Sequence, residues 1–114
     1  MSAPNSIPNL KTNPFLVEVV HDVSEFRSLV RGRCRYEMRI NGDGSGIRFY
    51  ITLKVYGVST DGHIVVLELL KKVDGLSLGS DKSIDEAVKD AIRELEAIAK
   101  SLGARPGRFE VGMK

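Results

Sequence analysis

The chain has 114 residues, a single cysteine, no tryptophan, and 17 Lys and Arg against 15 Asp and Glu, for a net charge of +2. That length makes one domain with room for a real core. The lone Cys34 excludes an internal disulfide and an all-cysteine metal cage, and no apolar stretch approaches the ~20 residues of a membrane span.

A nearly neutral total carries no message about a polyanionic partner, so the placement of charge has to carry it. Arginines gather over 27–48 and acids over 85–96. The start of the chain has no signal-peptide core, and the expected location is the cytoplasm.

Residues 1–12, with Pro4 and Pro8 among Asn and Ser, read as a flexible arm, leaving 13–114 as a single domain. Asn13-Pro14 reads as a helix N-cap with proline at the first helical position. Leu16, Val19, Val23, Phe26 and Val30 follow at three- and four-residue spacing before Gly32, which favours one helix over 14–31. The valines weaken that helix, so 15–20 also reads as a short strand. Asp22-Val23-Ser24-Glu25 would then cap a shorter helix.

Two strands follow. In Arg33–Ile40 the odd positions are Arg, Arg, Glu and Arg, and the even ones Cys, Tyr, Met and Ile. After Asn41–Gly46, Ile47, Phe49, Ile51, Leu53 and Val55 take one side and Arg48, Tyr50, Thr52, Lys54 and Tyr56 the other. Each strand thus has an apolar and a polar face, and Cys34 falls on the apolar one as a small buried hydrophobe. Thr60-Asp61-Gly62 turns the chain into a third strand, 63–73, which is apolar on both faces. With Glu68 and Lys72 outward, Ile64, Val66 and Leu70 share the basic face, an arrangement expected at a contact between subunits of a dimer or tetramer.

Ser83-Ile84-Asp85-Glu86 is a capping box. Ile84, Val88, Ala91, Leu95, Ile98 and Leu102 then repeat at helical spacing up to Gly103. Arg105-Pro106-Gly107 breaks the chain, and Phe109, Val111 and Met113 alternate as a short last strand. The expected fold is α+β: an antiparallel meander of three to four strands packed on one face by helices, in the order α-β-β-β-α with a C-terminal β.

Chemistry-bearing groups are sparse. His21 and His63 have no metal-ligand spacing, and His21-Asp22-Ser24 places triad residue types side by side without catalytic geometry. The 41–46 loop has too few oxygen ligands for calcium and the wrong spacing for a phosphate loop. No catalytic residue, metal or cofactor is expected.

The basic face is the functional clue. Pairing Ile40 with Ile47 sets Arg39 opposite Arg48 and Arg33 opposite Lys54, and facing like charges destabilise a free sheet. A solvent-exposed sheet surface is the ordinary explanation for such residues. Arginine in preference to lysine, with Tyr50 and Tyr56 spaced along one strand, points instead to a polyanion. Arg31, Arg33, Arg35, Arg39, Arg48 and Lys54 would hold phosphates, and Tyr50 and Tyr56 would stack bases. A duplex groove is normally read by a helix or narrow ribbon, and neither helix here is basic, so a single strand is expected; Asp85, Glu86, Asp90, Glu94 and Glu96 on the last helix repel phosphate and leave the sheet side for its approach. The rival reading is a regulatory interaction module whose basic face takes an acidic protein.

The α-β-β-β-α order resembles that of the double-stranded RNA-binding domain, which needs lysines at the start of its last helix. Here Ser83-Ile84-Asp85-Glu86 stands there. The segment from Gly79 to Ala91 resembles the helix entry of HicB-type antitoxins. In layout over 14–104, and in the Arg33–Tyr56 face, the chain resembles the archaeal ThermoDBP-related proteins, single-stranded DNA-binding proteins without an OB fold. That resemblance implies single-stranded DNA binding and assembly as a homo-oligomer. The long heptad tail of the founding members is absent here, which implies a related branch.

Overall fold

The computed structural model describes residues 17–79 and 82–112. Among the described residues the strands and α-helices follow in the order β1 (Val17–Val20), α1 (Val23–Leu29), β2 (Arg35–Gly42), β3 (Arg48–Val58), β4 (Ile64–Asp74), α2 (Ile84–Ser101) and β5 (Arg105–Gly112), with one 3-10 turn, Gly75–Ser77, after β4. The strands form one five-stranded sheet in the order β1-β4-β3-β2-β5. The α+β class is the expected one. The meander β2-β3-β4 makes the centre of the sheet, and the strands at both edges run parallel to their neighbours.

The expected helix over 14–31 is replaced by β1 and the shorter α1. β-Branched Val17, Val19 and Val20 pair in register with Ile64, Val66 and Leu67 of β4, where a strand conformation suits them. Asp22 then starts α1, its carboxylate accepting from the Ser24 N–H at 3.2 Å. The expected arm 1–12, the Asn13-Pro14 cap, Leu16 and Met113 lie outside the described residues.

The β2–β3 register also departs from expectation. Ile40 pairs with Ile51 rather than Ile47, and the strands continue to Gly42 opposite Phe49. The cause is the turn. Asp43 accepts from the Ser45 N–H at 2.8 Å, and the Ser45 hydroxyl accepts from the N–H groups of Ile47 and Arg48, both at 3.2 Å. Gly44 and Gly46 supply positive φ. Ile47 is thereby held in the turn. The slide is by an even number of residues, so every side chain keeps its face while every cross-strand partner changes.

Between the helices and the sheet lies the core, built from Tyr36, Met38, Ile40, Ile51, Leu53, Val55, Val65, Leu67 and Val73 below and Phe26, Ala87, Ala91, Leu95 and Ala99 above. Alanines, more than the larger aliphatics, form the buried line of α2, while Ile84, Val88, Ile98 and Leu102 are half-buried flanks. The Ser83 capping box is formed in both directions. Phe26 and Val30 press against Gly57, where an added Cβ would come within 2.4 Å of a Val30 methyl. Glycine permits this close approach, and a bridge between Val30 and Ser59 holds the valine in place.

Candidate nucleic-acid interface

Both helices occupy one side of the sheet, and no described element packs on the other. Its side chains follow from the register. One row reads Val19, Val66, Tyr56, Arg35, Arg105 from the β1 edge to the β5 edge. The next reads Glu68, Lys54, Glu37. Leu70, Thr52, Arg39 and Glu110 follow, then Lys72, Tyr50 and Asn41.

The like-charge pairs expected along β2 and β3 are not formed. Lys54 stands between Glu37 and Glu68 and pairs with Glu68 at 3.9 Å. Arg39 pairs with Glu110 at 3.0 Å, and Arg48 with Asp74 at 3.5 Å and Asp43 at 3.8 Å. The Ser45 hydroxyl and N–H bonded to Asp43 pull that carboxyl below its ordinary pKa, with Arg48 adding to the effect. A shallow cleft of about 380 Å³ over this central band is lined by three carboxylates (Glu37, Glu68, Glu110) and three cations (Arg39, Lys54, Arg108). Arg39, Arg48 and Lys54 therefore already have counter-charges, and the centre of the face presents no excess of cations.

One end of the face is different. Arg35 lies directly beside Arg105 across the parallel β2–β5 pair, and Arg33 is two residues along the same chain. These guanidiniums appear in none of the ion pairs formed among the described residues. They line a cleft of about 640 Å³ with Tyr56, Val58, Ile64, Glu37 and Cys34. The Tyr56 hydroxyl donates to Glu37 at 3.3 Å, which fixes the ring; burial and then the Glu37 and Glu68 carboxylates raise its pKa, so the phenol stays neutral. Cys34 is buried, its thiol directed at the Leu102 carbonyl and its pKa raised by burial, as befits a packing residue rather than a nucleophile.

Of the eight residues expected to bind, the cleft collects Arg33, Arg35 and Tyr56. Tyr50 lies at the far end between Asn41 and Lys72. Arg31 is exposed in the link after α1 and does not line the cleft. Arg105 is the residue missed. Its tripeptide with Pro106 and Gly107 reads as a chain break, whereas it opens an edge strand that tolerates proline. Of the residues expected at a subunit contact, Val66 is buried within its own chain, Ile64 is half-buried, and Leu70 is exposed.

Both histidines lie beside a polar partner. The His21 ring lies 3.0 Å from the Glu68 carbonyl oxygen, and His63 lies 3.8 Å from Asp61. Among the described residues no cluster of three or more His, Cys, Asp or Glu is arranged to hold a metal ion. No helix there is long and apolar enough to cross a membrane. No protein-family profile, curated protein or solved structure matches the chain.

Proposed function

We propose that this domain binds single-stranded nucleic acid without sequence preference, as a cytoplasmic homo-oligomer, with Arg33, Arg35 and Arg105 on phosphates and Tyr56 against a base. The observation that carries the reading is the Arg35–Arg105 juxtaposition, with Arg33 close by and none of the three ion-paired to a described residue. Neighbouring like charges on a sheet are unfavourable in the free protein. An anion between them relieves the repulsion, and arginine's fork suits phosphate oxygens.

Tyr56 and the apolar Val58 and Ile64 line the same cleft, offering a base a ring and a greasy wall beside the charge. The acids of α2 lie behind the sheet, so a polyanion is favoured on the open side only. The resemblance to ThermoDBP-related proteins read from the Arg33–Tyr56 segment implies the same kind of ligand. The task is binding rather than catalysis.

The test is a titration of a fluorescent poly-dT oligomer at two salt concentrations, repeated with poly-glutamate as competitor. Affinity that falls steeply with salt, and that poly-glutamate displaces poorly, is the expected result. No binding at low salt would refute the reading. Equal displacement by poly-glutamate would transfer the cleft to an acidic protein partner.

A further inference from the structure

We propose that two copies of this chain join through their β5 edges, antiparallel and centred on Phe109, to make one continuous sheet. This names the surface for the assembly half of the function proposed above, on observations separate from those that support nucleic-acid binding.

β5 is an edge strand of eight residues. An edge of that length offers a row of unpaired backbone groups. It also carries the apolar side chains Phe109 and Val111, which pair in register with Met38 and Ile40 and so share the helix side of the sheet. Neither belongs to the core or packs against it, and they are 50% and 62% exposed. No described part of the chain buries them.

Charge selects both the partner and the register. Residues directly opposite in an antiparallel pair share a face, so a two-fold axis perpendicular to the sheet must fall at a residue and not between two. Centring on Arg108 sets Arg108 against its own copy, and centring on Glu110 sets Glu110 against its own copy. Centring on Phe109 places each Arg108 opposite the other copy's Glu110, twice over, and brings the two phenyl rings together. Arg108 and Glu110 already lie on one side of their strand, 3.4 Å apart. The sequence Arg-Phe-Glu is thus self-complementary across a two-fold axis. A chain meeting its own copy extends its own Arg39–Glu110 and Arg108–Glu110 pairs across the seam, avoids facing like charges and buries both apolar positions, with both helix layers on the same side.

The experiment reads mass and register and uses no nucleic acid. Light scattering across a concentration series should show the mass double from 12.5 kDa. Arg108→Glu turns both cross-strand pairs repulsive and should weaken association roughly tenfold. In a Cys34→Ala background, Phe109→Cys places two thiols face to face, and oxidised glutathione should convert that variant to a disulfide-linked dimer. Val111→Cys sits on the same face, but its copies are four residues out of register, ~13 Å apart, and it should cross-link far less. A monomer at every concentration would overturn the proposal. Equal cross-linking of the two variants would also overturn it, because collision alone explains that result. If assembly fails while poly-dT still binds, the nucleic-acid reading survives; if poly-dT fails while the dimer forms, this one does.

Discussion

Removing Arg35 with Arg105 and removing Arg39 with Lys54 subtract the same formal charge, yet the two double variants should behave differently. The first pair has no carboxylate partner among the described residues, whereas Arg39 and Lys54 sit 3.0 and 3.9 Å from Glu110 and Glu68. Each phosphate neutralised on a single strand contributes about 0.7 to the slope of log affinity against log salt. Arg35→Ala/Arg105→Ala should therefore flatten that slope by about 1.4. Between 50 and 200 mM salt, about sevenfold of the affinity loss should disappear. Its stability should hold or rise by a few tenths of a kcal/mol as repulsion is relieved. Arg39→Ala/Lys54→Ala exposes carboxylates in place of ion pairs, so its slope should barely change. It should lose up to about 1 kcal/mol of stability per exposed pair. Fluorescence anisotropy at several salt concentrations and urea melts on both proteins provide the measurements. Equal slopes for the two variants would refute the assignment of the cleft.

Three further outcomes are expected. Gly57→Ala drives a methyl into Val30 and should destabilise by about 1–3 kcal/mol in thermal melts, and adding Val30→Ala should restore most of it; a neutral single variant would show that the contact is soft. Tyr56→Ala should weaken oligonucleotide binding by about 1–3 kcal/mol, while Tyr50→Ala, at the opposite end of the face, should leave affinity near that of the parent. The third concerns acid. Lys82, 2.6 Å away, holds the Asp90 carboxyl below its ordinary pKa. A depressed folded-state pKa gives stability that is present above the unfolded value of about 3.9 and is lost as pH falls through the folded one. Hydrogen-exchange protection at the start of α2, measured against the intrinsic rate at each pH, should fall below about pH 4, and Lys82→Ala should remove much of that dependence.

The alternation of polar and apolar residues was enough to sort β2 and β3 into faces, because a period of two survives any even slide in register. It could not supply the partners. Those depended on a five-residue turn in which Asp43 and Ser45 spend their hydrogen bonds locally, and so on contacts that do not show in hydropathy. The Arg39–Arg48 and Arg33–Lys54 oppositions failed for that reason. A different like-charge pair, Arg35 with Arg105, formed across a parallel seam that no local pattern announces. β1 was ambiguous because a four-residue valine-rich segment fits either periodicity until β4 is there to pair with it. The alanines of α2 were underweighted because small side chains score weakly as apolar, although their size lets a helix lie close to a sheet.

The two edge strands have a kinetic consequence. The central meander closes through short turns, whereas contacts across the edges are far from local: His21 and Glu68 are 47 residues apart, and Arg39 and Glu110 are 71. Loop-closure entropy makes such seams late to form and early to open. The arginine cleft spans the later of them, since Arg105 reaches it only when β5 has docked. A chain can therefore possess its core and lack this cleft. Any ligand bridging Arg35 and Arg105 acts as a latch on that seam, drawing the edge strand out of its locally unfolded population and adding to the stability of the whole.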